Sequence, residues 1–425
     1  MALLLGLAWL SPLHGEEYRF DPDEIEKRPY HLGGVAELRP ALDLLDRRSA
    51  QYRLRFFDNG RAELEPEYNA RLQLDAGLEH GIARFSAQGV LEYQDTPLKE
   101  EAVATLNEWY LSLKPSASFT LAVGKKNLRW GKGYAWNPVA FFDRPKNPDD
   151  PELSLEGFWL ASADYVRSFD GPLKTVSLTP VLLPVYEDLN SDYGRSGRVN
   201  IGAKLYALFH DTDIDLLFVS QGSRGWRYGI DFSRNLATNL EIHGEFAWLR
   251  DVSRPLLGAD GAVRTVSGDS YSWLLGLRYL TERDTTWIAE YFHNGAGYTA
   301  AEMDLFFSLA DQGFATLSSS GSRQQLQRAA ALNSGSYGRL NPMRNYLYGR
   351  VSQKEPFDIL YFAPALTMIA NLDDGSLSLA PELLYTGIDN LELRLKGSVA
   401  AGAGHTEFGE KLNDARIELR IRYFF

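Results

Sequence analysis

The chain is dominated by short stretches in which apolar and polar residues alternate. Leu72, Leu74, Ala76 and Leu78 alternate with Arg71, Gln73 and Asp75, and Ile201, Ala203, Leu205, Ala207 and Phe209 with Asn200, Lys204 and His210. Ile242, Phe246 and Trp248 are interleaved with Glu241, His243 and Glu245, and Leu391, Leu393 and Leu395 with Glu392, Arg394 and Lys396. A period of two puts each set on one face of a strand. The stretch ARIELRIRYFF obeys the same rule, with Ile417, Leu419, Ile421, Tyr423 and Phe425 on one face and Arg416, Glu418, Arg420 and Arg422 on the other. The pattern predicts about eighteen strands, an even number as bacterial single-chain barrels require. They fall near 33–45, 64–79, 82–95, 104–114, 118–127, 157–168, 174–184, 199–210, 213–220, 226–234, 239–250, 271–281, 285–294, 345–353, 357–369, 376–386, 391–402 and 415–425.

Soluble sheets alternate too, so the connections carry more weight. Short ones (EHG, PSA, HDT, LATN, TERD, GIDN) take turns with long ones at 128–156, 251–270 and 295–344. Long extracellular loops on one rim and short periplasmic turns on the other mark an outer-membrane barrel, whereas a sandwich or propeller has no reason to sort its loops. The expected fold is therefore all-β: a transmembrane antiparallel β-barrel over residues 33–425, both termini periplasmic. Trp226, Trp248 and Trp273 fall at strand ends beside long or odd-numbered loops, and Phe209, Tyr279 and Trp287 beside short turns, as two interfacial girdles would. The alternating stretch ending in Tyr423 and Phe425 pairs with the first strand to leave no open edge in lipid. It resembles the signal by which Gram-negative outer-membrane proteins are handed to the barrel-assembly machinery.

Composition agrees. Mean hydropathy is −0.28, which a barrel shares with soluble chains because its polar lumen cancels its apolar exterior. The net charge of −12 argues against nucleic-acid binding. The absence of cysteine excludes disulfides and thiolate metal sites. The apolar run Ala2–Leu10 is too short to span a bilayer and reads as a signal peptide over 1–15, although no Lys or Arg precedes it. Residues 16–32 are then a polar periplasmic segment, an unstructured lead-in or a docking site for a periplasmic partner.

Chemistry concentrates in two outer loops and the lumen. The loop 128–156 and the strand end before it carry Lys125, Lys126, Arg129, Lys132, Arg144 and Lys146, interleaved with Trp130, Tyr134, Trp136, Phe141 and Phe142 and broken by four prolines. A loop this aromatic needs a surface to pack on. Folded inward it constricts the pore, with Arg129 and Lys132 facing the solute; folded over, it caps the barrel and its cations meet lipopolysaccharide. The stretch KxxLRWGKGYAWNP and the Pro- and Asp-rich run after it resemble uncharacterised proteobacterial outer-membrane barrels with a WGKGYxxNP loop, distantly similar to porin-like and alginate-export-like barrels. The resemblance covers about 118–184, with Arg129, Trp130, Gly131, Gly133, Asn137 and Pro138 as its motif. It implies architecture and location, and supplies no solute.

In 295–344, Thr299–Glu302 and Ser322–Gln325 each have the form of a helical capping box followed by apolar residues at helical spacing. Two amphipathic helices are expected, as a lid on the pore or as a self-contained hairpin. Lumen charges of both signs (Glu241, His243 and Glu245 on one strand; Arg394, Lys396 and Arg420 on the last two) form either a solvated wall or a field that orients a polar solute. Glu241–His243–Glu245 has no accompanying nucleophile, so no enzyme is expected, and neither a cofactor nor a metal. The expected function is an outer-membrane channel for passive or facilitated diffusion of a small polar solute, anionic or sugar-like; the alternative is a plugged surface-binding or envelope-assembly and export partner.

Overall fold

The computed structural model describes residues 29–57, 60–96 and 99–425. The expected signal peptide and most of the segment 16–32 lie outside the described residues. Eighteen strands form one antiparallel sheet: β1 (Tyr30–Leu45), β2 (Leu64–His80), β3 (Ala83–Asp95), β4 (Glu100–Ser116), β5 (Phe119–Lys126), β6 (Phe158–Ser168), β7 (Leu173–Val185), β8 (Arg198–Phe209), β9 (Thr212–Val219), β10 (Arg227–Ala237), β11 (Leu240–Leu257), β12 (Val263–Leu280), β13 (Thr285–His293), β14 (Asn345–Gln353), β15 (Phe362–Asn371), β16 (Leu377–Ile388), β17 (Leu391–Ala401) and β18 (Asn413–Phe424). Each pairs with its sequence neighbours, and β1 also pairs with β18, from Val35↔Phe424 to Leu45↔Asn413, so the sheet closes.

Period-two patterning selects the faces. On β18, Ile417 and Tyr423 are exposed outward, while Glu418 and Arg420 are buried in the lumen. Leu74, Leu121, Leu205, Leu275 and Leu383 are likewise exposed. A closed barrel with an apolar exterior and a charged interior satisfies every backbone group internally and meets lipid with its outer face. The long connections 127–157 and 294–344 share one rim with 46–63, 186–197 and 402–412. The opposite rim carries turns such as 81–82, 117–118, 210–211, 238–239 and 389–390.

Two expectations at the long-loop rim are corrected. Residues 251–270 are mostly ladder: past a bulge between Leu249 and Val252, β11 continues against β12 to Leu257↔Val263. Pro255 marks this stretch as loop-like in sequence, but β10 stops pairing at Arg227↔Leu249, so the proline sits on a free edge where a missing N–H costs nothing. The second proposed capping box does not form. Helix α3 (Gln324–Leu332) has Arg323, not Ser322, at its cap position. The first forms as expected at the start of the preceding helix, α2 (Ala300–Ser320): Thr299 Oγ1 accepts from the Glu302 N–H at 3.2 Å, and Glu302 Oε2 accepts from the Thr299 N–H at 2.9 Å. An unforeseen helix, α1 (Ala50–Phe56), lies in the first outer connection.

Met303, Phe306, Phe307 and Ala310 of α2 are buried against Leu326, Ala329, Tyr298 and Tyr337 within their own loop. The same cluster includes Ala50 and Leu54 of α1, Phe408, and Trp136 from the 127–157 loop. The helical loop is thus one continuous apolar body with its neighbours. Arg254 on the extended β11 clamps it by a bidentate contact to Glu302 at 2.9 and 3.0 Å.

Candidate functional site

The loop 127–157 enters the barrel and crosses its lumen. It opens on a tight turn made by one carboxylate, since Asp143 accepts from the N–H groups of Leu128 (2.7 Å), Arg129 (3.0 Å) and Trp130 (2.8 Å). Arg129 adopts φ 55° and Gly131 φ 98° to make that turn. The chain then wraps two wall carboxylates. Glu245 on β11 accepts from the backbone N–H groups of Lys132 (2.6 Å), Gly133 (2.7 Å) and Val139 (3.2 Å) and from Asn137 Nδ2 (2.8 Å). Glu290 on β13 accepts from the N–H groups of Tyr134 and Ala135 and contacts His243 Nε2 at 2.8 Å.

The glycines are required by this wrapping. A Cβ on Gly131 would stand 2.8 Å from Glu245 Oε1, and one on Gly133 would stand 2.0 Å from the Trp136 carbonyl. The glycines and Asn137 of this stretch therefore build an anion nest for a wall carboxylate, Glu245. Successive N–H groups close on Glu245, and Asn137 locks the nest by also donating to the Gly133 carbonyl at 3.0 Å.

Lys132, expected to face the solute, instead points into the wall. Its Nζ is 3.0 Å from Asp215 on β9 and 3.9 Å from Asp231 on β10, two buried carboxylates directly paired across the ladder. Lys125 shares the outward face of Trp109 and pairs with Glu156, so it is no pore residue. Lys126 lies over the Tyr110 ring at 5.1 Å. Trp130 is buried edge-on to Phe142 among Val139, Phe141, Phe158 and Leu183. Trp136 stacks on Phe292 at 5.2 Å and donates from Nε1 to Asn341. Tyr134 is half-buried beside Tyr348.

The far side of the loop carries its acids and meets the basic wall. Arg420 on β18 reaches Asp150 at 2.8 Å, Lys396 on β17 donates to the Asp149 carbonyl at 2.5 Å, and Arg394 lies 3.9 Å from Glu152. The loop is thus stapled to both walls, its cationic end on acids and its acidic end on cations. Glu241 accepts from Ser233 Oγ at 2.9 Å, 3.9 Å from His243 Nδ1. Of the three residues on that strand face, Glu245 holds the loop directly, His243 supports Glu290, and Glu241 is tied to the wall. Sequence reasoning missed Asp143, Asp215, Asp231 and Glu290. For the last three, the available signal was an acid at a lumen position of strands whose facing loop is cationic.

Space remains on one side. A cavity of about 450 Å³ lies between the loop and the β2–β3 wall, bounded by Gln73 and Gln88 from the wall and by Arg129, Arg144 and Lys146 from the loop. Arg129 is exposed there. Arg144 is braced by Glu156 at 3.1 Å, by Asp192, and by the Phe158 ring below it. Lys146 donates to the Gly133 and Tyr134 carbonyls, at 2.8 and 3.3 Å. A second cavity of about 190 Å³, lined by Glu37, Arg71 and Arg422, shares Gln73, Glu152, Leu153 and Ser154 with the first.

No family model and no curated protein matches the chain. Solved structures do. OccK11 (OpdR) of Pseudomonas aeruginosa matches 93% of this chain and 95% of its own at 13% identity and a TM-score of 0.51. A triple mutant of Rhodopseudomonas blastica porin matches 93% and 100% at 11% identity and a TM-score of 0.45, and Salmonella typhi OmpF in complex with daunomycin 93% and 97% at 9% and 0.45. At these identities the likeness is one of fold alone, that of a closed antiparallel β-barrel.

Proposed function

We propose that the protein is a channel of the Gram-negative outer membrane, passing a small polar solute by passive or facilitated diffusion. The observation that carries the reading is the cavity beside the β2–β3 wall. The loop fills the β6–β14 side of the lumen with packed side chains, while this side presents Gln73, Gln88, Asn127 and Asn137 together with Arg129, Arg144 and Lys146. Amides both donate and accept, suiting hydroxyls, and guanidinium and ammonium groups suit a carboxylate or phosphate. The reading therefore narrows to an anionic or sugar-like solute. The second cavity continues the polar route along the same wall past Arg71 and Arg422 toward Phe424, near the short-turn rim. On this reading the protein is no enzyme; Glu245 and Glu290, with His243 against the latter, serve as anchorage.

A plugged barrel that binds a surface ligand or an envelope partner, with residues 16–32 as a docking segment, is the second reading. It draws on the stapling of the loop to both walls. Conductance in planar bilayers separates the two. A channel gives steady conductance with preference for anions at low salt, and deletion of residues 131–150 raises it. A wild-type protein that is silent until those residues are removed is a plugged barrel.

A further inference from the structure

The connection between β14 and β15, residues 354–361, breaks the pattern of its rim. It places Phe357, Ile359, Leu360 and Tyr361 around a single acid, Asp358. Phe357 is 92% exposed and Leu360 63%. Glu355, Phe357, Asp358 and Tyr361 hold φ values of 48°, 59°, 58° and 62°, a left-handed conformation costly for any residue with a bulky side chain. The turn is nonetheless built. Glu355 N–H donates to the Phe362 carbonyl at 2.8 Å and Tyr361 N–H to Glu355 Oε1 at 3.0 Å. Strain that the surrounding structure maintains points to use. Its effect here is to project a cluster of apolar side chains beyond the end of the ladder instead of folding them back.

That cluster is continuous with the lipid-facing surface. Phe362 pairs with Tyr385 on the outward face that also carries Leu366 and Leu383. Thr386 N–H donates to the Tyr361 carbonyl at 3.1 Å, and a Cβ on Gly387 would lie 2.5 Å from the Tyr385 hydroxyl and 3.1 Å from the Tyr361 ring. Tyr361 therefore stands beside an outward girdle tyrosine, and the finger begins where the apolar belt ends. Lys354, Glu355 and Asp358 supply polar groups at its base and tip.

We propose that residues 356–361 are an interfacial anchor, seating Phe357, Ile359, Leu360 and Tyr361 at the headgroup–acyl boundary of the inner-leaflet phospholipids. Aromatic and aliphatic side chains with polar neighbours favour that layer. The inference rests on the membrane-barrel architecture and its orientation, and is independent of whether the pore conducts.

The chain has no cysteine, so a single introduced one carries a single spin label. Phe357→Cys and Leu360→Cys, folded into liposomes of phosphatidylethanolamine and phosphatidylglycerol, would be probed by collision with oxygen and with a water-soluble nickel chelate. Arg283→Cys, on the neighbouring turn of the same rim, is the aqueous reference. Seating in lipid gives both labels an oxygen-to-nickel ratio several-fold above that at 283. A ratio equal to the reference overturns the proposal and puts the finger in water, free to bind a protein. Labels shielded from both reagents overturn it too, with the finger folded against the barrel. Leu360→Cys leaves Phe357 in place, so failure of one variant to fold does not end the test.

Discussion

Replacing Glu245 by alanine tests whether wall carboxylates hold the lumen loop. Glu245 is almost wholly buried and accepts four hydrogen bonds from the loop, at 2.6, 2.7, 2.8 and 3.2 Å. A hydrogen bond to a charged group contributes roughly 1.5–3 kcal/mol, so docking of residues 132–139 should weaken by on the order of 5 kcal/mol. That is about a thousandfold or more in the population of the undocked loop. The barrel itself should persist, because its ladder does not pass through this side chain. Glu290, the Lys132 pair and the burial of Trp130, Phe141 and Phe142 still oppose full release. Hydrogen exchange is the direct assay: amides of 132–139 should lose protection while those of β11 and β12 keep it. Single-channel records should show a noisier and larger conductance. Glu245→Gln, which keeps one acceptor oxygen, should fall between. Unchanged protection of 132–139 in Glu245→Ala would refute the anchoring role, whatever the conductance did.

Lys132→Met leaves buried Asp231 without its cation and Asp215 with only Lys204, at 3.8 Å, and should lower stability to denaturant by roughly 3 kcal/mol, the lower end of the cost of breaking a buried pair. Arg129→Gln should instead leave stability unchanged and reduce anion preference in reversal-potential measurements at low salt, where screening is weakest. His405 joins the β17–β18 connection to the helical loop, with Nδ1 2.6 Å from Asp304 and Nε2 3.0 Å from Asp311. Partial burial pulls its pKa down, but the two aspartates outweigh this and hold it above the ordinary 6.5. Its contribution to holding the helical loop should thus be complete below about pH 6.5 and vanish as pH rises through the raised value. Proteolysis at 294–344 should accelerate across that window in the wild type and lose the dependence in His405→Ala. Removing Phe425 deletes the paired bonds with Gly34, at 2.9 and 3.1 Å, that finish the β1–β18 seam, and should lower the yield of heat-modifiable barrel in cells.

The strand ladder was legible in the sequence because a barrel wall meets water on one side and lipid on the other, and a period of two records that division at every position. Ile417 through Phe425 needed no tertiary information to be read as the outward row of a strand. Helix α2 announced itself through Thr299 and Glu302, since a capping box is satisfied within one turn. What the sequence left open was where the loop cations end. Lys132, Arg129 and Lys125 are equivalent as residue types within one cationic run. Only closure of the barrel sends the first into Asp215 and Asp231, leaves the second beside the open cavity, and turns the third outward to Glu156. Asp215 and Asp231 lie on strands far away in sequence, and a charge is defined by what stands opposite it. The glycine motif carried the same ambiguity. Its glycines were visible, but the anion they wrap, Glu245, is supplied by β11 and became apparent only with the chain folded across the lumen.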